Sequence, residues 1–432
     1  MIIYTVRQGD TLYRIAGRYG VSVQSLQDDN MLPDPARLVP GQTIVIIKPQ
    51  ISYTTRAGDT LDSIARRFGV SLNTLWRNNP VLRGLDEITV GQELKIKLPL
   101  PTGGAVQVNG YAYPFIDRDV LRQTLPYLTY LSIFTYGYDE SGTLIPIEDE
   151  EVISIAREYG VAPVLHLSSL NTEGKFSTAQ VTRLLNDDAM QQTLIRSLIE
   201  TLQQKGYVGV DVDFEYVGRQ GADAYVRFVR RLQEALSPLG YFVWVALAPK
   251  VRADQEGVLY EGHPYRALGE AADAALLMTY EWGYTYGPAM AVSPLNQVRR
   301  VLDYAVTEIP PAKLLLGVPN YGYDWTLPYV AGESRARSLG NVEAVILARD
   351  RGADIMYDEV AQAPNFNYFL RGEDGVAREH EVWFEDARSM QAMLRLMPEY
   401  GLRGMAIWNI MRYFPQLYLV LNSEYDIMRA TM

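Results

Sequence analysis

The 432-residue chain contains no cysteine and only three histidines, His166, His263 and His380. The first absence excludes disulfides, thiolate metal sites and a cysteine nucleophile. The histidines lie far apart and form no HxxH-type pair, which argues against a histidine-rich metal site. Acid and base chemistry is therefore left mainly to carboxylates. No apolar run reaches the length of about 18 residues that a membrane-spanning helix needs. Met1 to Asp10 lack the basic segment and apolar core of a cleavable signal peptide and read instead as a strand and a turn. With 51 Asp and Glu against 40 Lys and Arg, the net charge of -11 has the wrong sign for a protein that binds nucleic acid through its phosphates. What is abundant is apolar sequence, 48% of the chain. The length fits about three domains, or one large α/β barrel with smaller modules attached.

Comparing the chain with itself reveals a repeat. Tyr4-Thr5-Val6-Arg7-Gln8-Gly9-Asp10-Thr11-Leu12 returns 49 residues later as Tyr53-Thr54-Thr55-Arg56-Ala57-Gly58-Asp59-Thr60-Leu61. The correspondence runs on through Ile15-Ala16 and Ile64-Ala65, Gly20-Val21 and Gly69-Val70, and Asn30 and Asn79. Each copy reads as strand, helix, helix, strand. Asp10 and Asp59 are expected to cap the first helix, Gly20 and Gly69 to end it, and Ser22 and Ser71 to cap the second. The unit resembles the LysM module, whose family implies binding of N-acetylglucosamine-containing glycans in a shallow groove. Carried over to this chain, the groove positions are Asp10, Thr11, Leu12, Asn30 and Met31 in the first copy, and Asp59, Thr60, Leu61, Asn79 and Pro80 in the second. Capping and turn formation explain the same Asp, Thr and Asn residues without any ligand. The expected boundaries are residues 1–48 and 51–98, followed by a Pro- and Gly-rich linker, residues 99–105.

Beyond the linker, β-branched and aromatic runs alternate with helical patterns. Strands are expected at 107–114, 128–137, 163–169, 207–215, 242–249, 275–281, 313–320 and 404–409. Eight strands trailed by helices predict an α/β fold, a (β/α)8 TIM barrel over residues 106–432. The long gap before the last strand predicts a small α+β insertion between strands seven and eight, with a helix over 341–351 and short strands at 353–357 and 368–371.

The run Gly209-Val210-Asp211-Val212-Asp213-Phe214-Glu215 carries the chemistry. Residues two apart share a strand face, so Asp211, Asp213 and Glu215 point into the barrel while Val210, Val212 and Phe214 point outward. Neighbouring carboxylates raise one another's pKa, so such a ladder can keep one acid protonated near neutral pH. Glu215, at the C-terminal end of the strand, is the natural proton donor. A solvated acidic face and a carboxylate metal site show the same alternation.

The run resembles the DGxDxDxE signature of glycoside hydrolase family 18, with Val208 where the family has its first acid. Met278-Thr279-Tyr280-Glu281-Trp282 resembles the family's M-x-Y-D segment, Glu281 replacing aspartate. Gly404 to Asn409 resembles the eighth-strand segment whose tryptophan floors the sugar site. The resemblance implies a retaining, substrate-assisted mechanism without metal or cofactor. Glu215 would be the acid and base, Asp213 the partner of the substrate's acetamido N–H, Tyr280 the donor to its carbonyl oxygen and Asp211 the residue that tunes Asp213. Trp408 is the expected floor, with Glu281, Trp282, Tyr113, Tyr321 and Tyr323 as further substrate contacts.

Two LysM units before such a barrel, together with Pro319 to Trp325 and His380 to Asp386, look like bacterial spore cortex-lytic N-acetylglucosaminidases. The partner implied is a peptidoglycan glycan, with a spore or cell-wall location at the coat/cortex boundary. Nothing implies an obligate protein partner. A chitinase, and a non-catalytic wall-binding lectin or scaffold, stay open as alternatives. Charge divides along the same line. Residues 1–100 hold 12 Lys and Arg against 9 Asp and Glu, leaving 28 against 42 for the barrel.

Overall fold

A computed structural model describes residues 1–32, 34–372 and 374–430. Thr431 and Met432, the last two residues of the expected barrel span, lie outside the described residues. Strands β1 (Ile2–Thr5) and β2 (Thr43–Ile46) form the antiparallel pair of the first repeat, and β3 (Ile51–Thr54) and β4 (Glu93–Lys97) that of the second. Each pair is bridged by two short helices, Leu12–Tyr19 and Val23–Asn30, then Leu61–Phe68 and Leu72–Asn78. Gly20 and Gly69 end the first helices in the left-handed conformation, with φ of 67° and 63°.

The capping expectation needs correcting. Thr11 and Thr60 are the N-caps, their side chains accepting from the Arg14 and Ser63 amides. Asp10 and Asp59 instead turn back over the preceding glycines. Asp10 Oδ2 accepts from the Tyr4 hydroxyl (2.6 Å) and the Arg7 amide (2.9 Å), and Asp59 Oδ2 from Tyr53 (2.8 Å) and Arg56 (2.7 Å). Gly9 and Gly58, at φ of 80° and 87°, make that reversal possible.

Eight parallel strands close a barrel. They are β5 (Ala105–Ala112), β6 (Tyr130–Tyr136), β7 (Ala162–Ser168), β8 (Gly209–Asp213), β9 (Phe242–Leu247), β10 (Ala274–Leu277), β11 (Leu314–Pro319) and β17 (Gly404–Trp408), and β17 pairs back onto β5. Tyr111, Val164, Trp244, Leu276, Leu315 and Ala406 fill the interior, while Val210 and Val212 join the shell between strands and helices. The β8 alternation thus sends its valines outward and its acids inward.

The insertion is larger than the sequence pattern suggests. Between β11 and β17 lies a five-stranded antiparallel sheet, ordered β13 (Arg337–Leu339), β12 (Gly322–Thr326), β16 (Ala377–Trp383), β15 (Ala363–Arg371) and β14 (Met356–Asp358), packed on the helix Asn341–Arg351. The expected strand at 353–357 is β14, a little later, and 368–371 is the end of the nine-residue β15. β12 pairs with β16 far along the chain, a contact that local sequence pattern does not carry, whereas β16 follows β15 directly as a hairpin.

Both repeats are seated on the barrel. Val39 enters the insertion's core, the Ile355 amide donates to Pro40 O (2.9 Å), and Thr43 bonds Gln416 through side chain and backbone (2.7 Å each). The second repeat packs Trp76 at a tilt against Tyr159, with ring centroids 5.0 Å apart, and Tyr159 donates to Gly84 O. Between the repeats, Lys95 Nζ pairs with Asp29 Oδ1 at 2.7 Å, both side chains buried. Burial pushes the Asp29 carboxyl up to about 6 even with Lys95 opposing it. Lys95→Met is expected to cost about 3 kcal/mol at pH 7, since it strands a buried charge, and Asp29→Asn in the same chain should recover most of the loss. Chemical denaturation of the single and double variants measures both. Among the described residues no helix is long and apolar enough to cross a membrane.

Candidate active site

At the C-terminal end of the barrel lies a cleft of about 820 Å³, lined among others by Tyr111, His166, Asp213, Glu215, Tyr280, Glu281 and Trp408. They reach it from the C-terminal ends of five strands, β5, β7, β8, β10 and β17, as barrel geometry requires. The β8 ladder rises through the barrel into this cleft. Asp211 is fully buried at its base. Its Oδ2 accepts from the Tyr111 hydroxyl at 2.5 Å, with the Ser132 hydroxyl at 3.4 Å. Burial raises the Asp211 pKa, opposed by His166 and these hydroxyls.

One step higher, Asp213 Oδ2 faces His166 Nε2 at 3.4 Å, and its Oδ1 is buried without a hydrogen-bond partner. Glu215 follows at the mouth. Burial first, then the negative charges of Asp213 and Glu281, push its carboxyl up to about 8. Near neutral pH Glu215 is therefore mostly protonated, the state a general acid needs.

Opposite stands the segment after β10. Thr279 Oγ1 donates to Gly317 O (2.7 Å) and Ser293 Oγ to Thr279 O (2.5 Å), which anchors the backbone beside Tyr280. Tyr280 is a lining residue, and burial raises its hydroxyl pKa well above the ordinary value, so it is a donor at working pH. Glu281 adopts φ of 65° and accepts from Tyr321 (2.5 Å) and Tyr323 (3.0 Å). That left-handed turn redirects the chain. Trp282 consequently packs against the outer shell and is not among the lining residues, which corrects its expected place on the sugar.

Trp408 sits across the base of the cleft, edge-on to Tyr111 (5.5 Å) and Phe134 (5.0 Å). Asn320 Nδ2 holds the loop behind it, donating to Asn409 O (3.0 Å) and Arg412 O (2.8 Å). Tyr113 lines one wall, and Tyr321 and Tyr323 line another at the root of the insertion. The wall residues that the sequence pattern does not mark include Tyr111, His166, Phe134, Phe176, Tyr216 and Arg412. Tyr111 shares the face of Tyr113 two residues on, which is a signal of its own. His166 carried none, being one polar residue inside an apolar strand.

Gly317 explains how Tyr280 fits. A Cβ there would lie 2.3 Å from Leu277 O and 2.9 Å from Tyr280 Cε1. Gly317→Ala is expected to cost about 1–3 kcal/mol of stability and to displace Tyr280, lowering kcat more than it raises KM. Thermal melting and steady-state kinetics on one preparation test the two effects together.

The profile of glycosyl hydrolases family 18 matches residues 164–412, and the LysM domain profile matches residues 4–46 and 53–97. The chain belongs to glycosyl hydrolases family 18. Family membership extends to full-length relatives. The chain is 39% identical over 437 residues to a Bacillus subtilis (strain 168) protein named cortical fragment-lytic enzyme, covering 100% of both. A Bacillus anthracis protein of the same name is 37% identical over 98% of each chain. Among solved structures, the spore cortex-lytic enzyme SleL of Bacillus megaterium QM B1551 superposes with a TM-score of 0.83 at 36% identity, over 99% of each chain. This family 18 chain is thus a glycoside hydrolase, and it carries two LysM glycan-binding modules.

The LysM expectations divide. Thr11 and Thr60 are exposed and Asp10, Met31 and Asp59 half-buried, whereas Leu12 and Leu61 belong to the module cores. Asn30 is buried, its amide donating to Leu26 O and Val45 O and its Oδ1 accepting from the Val45 amide, and Asn79 repeats the pattern on Leu75 and Lys95. Pro80 is buried too. These five side chains hold the modules together and cannot meet a glycan. In the second module Asp59 and Thr60 border a groove whose other wall is Asp86 to Thr89 and Gln92, not Asn79 and Pro80.

Proposed function

We propose that this chain hydrolyses the β-1,4 bond after N-acetylglucosamine in peptidoglycan, with spore cortex as its substrate during germination. The observation that carries the reading is Glu215, held protonated up to about 8 by burial and by the adjoining Asp213 and Glu281, over a tryptophan-floored cleft. Glu215 protonates the leaving glycosidic oxygen. The substrate's own acetamido oxygen attacks the anomeric carbon, so no enzyme nucleophile is needed. Asp213, which lines the cleft, accepts the acetamido N–H and offsets the positive charge of the oxazolinium formed. Tyr280 donates its hydroxyl to the acetamido oxygen, and Asp211, tied to Tyr111, supports Asp213 from below. Glu215, now ionised, then takes a proton from water, which opens the oxazolinium with net retention.

Trp408 is the floor for the N-acetylglucosamine ring, and Glu281, Tyr113, Tyr321 and Tyr323 are its surroundings. Cortex is favoured over chitin by the relatives named for cortical fragments and cortex lysis, which match the chain from end to end. The two LysM modules agree with a spore or cell-wall location at the coat/cortex boundary. Mass spectrometry of fragments released from cortical peptidoglycan tests the reading. Reducing-end N-acetylglucosamine is expected, and a muramic or muramic-lactam reducing end overturns it. Faster turnover of chitin oligomers than of cortical fragments would make the enzyme a chitinase instead.

A further inference from the structure

The proposed mechanism uses three acids and a tyrosine, yet the cleft also holds a buried histidine. His166 is 1% exposed. It lies one strand over from the ladder, in register with Asp211, and its ring is packed face-to-tilted on Phe134 (4.5 Å) and edge-on to Tyr111 (5.7 Å). Its two nitrogens are both engaged. Nε2 faces Asp213 Oδ2 at 3.4 Å, and Nδ1 lies 2.7 Å from Thr135 Oγ1.

His263 supplies an internal contrast. There Nδ1 accepts from the Ala248 amide (2.9 Å) and Nε2 meets Phe214 O (3.1 Å), one acceptor and one donor, which is the pattern of a neutral ring. At His166 neither partner demands a bare nitrogen. A carboxylate requires N–H at Nε2. Thr135 Oγ1 can spend its proton on Ser168 Oγ (2.9 Å) or on the His166 carbonyl (3.3 Å), leaving its lone pairs for an Nδ1–H. The charges around the ring favour a cation. From β8 it meets Asp213 and Asp211, while Tyr111 of β5 carries a hydroxyl committed to Asp211. Across the cleft stand Glu215, Tyr280 and Glu281, and Arg412, whose Nη1 lies 3.4 Å from Ser338 Oγ.

We propose that His166 is a positioning residue for the hydrolytic reaction, an imidazolium that pairs with Asp213 Oδ2 and holds that carboxylate charged at the wall of the cleft, beside the substrate's acetamido group. In this chain the third strand thereby supplies a counter-charge to a carboxylate ladder that has Val208 in place of its first acid. The inference rests on the role given to Asp213 above, and it deepens that role by naming what keeps the carboxylate charged. No proton leaves His166 in the cycle. Its charge offsets that of Asp213 and leaves proton exchange with the substrate to Glu215.

Two measurements on the full-length protein test this. In wild-type enzyme with 15N-labelled histidine, His166 resonances, assigned by their loss in His166→Gln, should report an imidazolium through pH 7. In Asp213→Asn the proton should leave at a pH lower by about one unit or more. A neutral ring at pH 6, or the same titration in both proteins, overturns the proposal. Kinetically, His166→Gln keeps a hydrogen-bonding side chain without the charge. Its acid limb of kcat/KM should move upward by about one pH unit, a loss of about tenfold on the acid side, with KM little changed. A uniform fall in kcat with the limb unmoved would mean that His166 only packs, and would overturn it. Should His166→Gln fail to fold, His166→Asn supplies the assignment, and the titrations of wild type and Asp213→Asn decide. Full activity of Glu215→Gln would sink the mechanism itself, a result separate from either His166 measurement.

Discussion

Glu215→Gln is expected to lose cleavage of cortical fragments by about 100- to 10,000-fold, the range for removing a general acid and base, with wall binding intact. Binding survives because the LysM modules and Trp408 are untouched by the substitution. Release of reducing ends and sedimentation with insoluble cortex measure the two quantities on one sample. Retained activity would remove Glu215 from the mechanism. The same variant carries a stability signature whose sign follows from linkage. The Glu215 carboxyl is pushed up from the ordinary 4.5 to about 8, so the folded state holds its proton more tightly than the unfolded chain does. Stability from that proton is complete below about 4.5 and drains away as pH climbs to about 8, because the unfolded chain ionises first. Glutamine cannot ionise and escapes the loss. Glu215→Gln should therefore melt at a higher temperature than wild type at pH 8.5 and at nearly the same temperature at pH 4.5. Equal melting temperatures at both pH values would mean that Glu215 is not held protonated.

Asp213→Asn should reduce kcat by about 100- to 1,000-fold, comparable to removing one oriented group from a developing charge. Asparagine can still face the acetamido group but brings no negative charge to the oxazolinium. A second effect follows, on Glu215. The Asp213 charge ranks just after burial among the causes that raise the Glu215 pKa. Removing it should move the alkaline limb of kcat/KM to lower pH, while burial and Glu281 still hold the limb above 4.5. A pH profile of the residual activity resolves this. An unmoved alkaline limb would separate the two carboxylates electrostatically and contradict the ladder as drawn.

How much of this was legible in the chain varies with the reach of the interaction. The 49-residue repeat, the eight strand signals and the period-two acids of β8 are all local. A strand's side chains alternate whatever surrounds it, so Asp211, Asp213 and Glu215 could be put on one face without coordinates. Asp10 and Asp59 show the limit of local reasoning even inside one turn. Asp and Thr are both good N-caps, and what chose Thr was Tyr4 and Tyr53 reaching across to claim the carboxylates. Trp282 was misplaced for a similar reason. A residue next to a motif is expected to share its site, but the positive φ of Glu281 turns the chain between them. Asn30 and Asn79 looked like turn residues open to a ligand, and the structure spends each of them on a helix end and a strand.

The sequence by itself determined the repeat, the barrel and the order of the acids, because periodicity and turn chemistry are written in consecutive residues. Only the tertiary structure decided what those acids experience. Burial of Asp211, the approach of His166 from β7 and of Tyr111 from β5, and Glu281 across the cleft all come from closing eight strands into one ring. The scarcity of histidine pointed to carboxylates as the working groups. The fold brings one of the three histidines back to the centre of that chemistry, since electrostatics depends on distance in space and not along the chain.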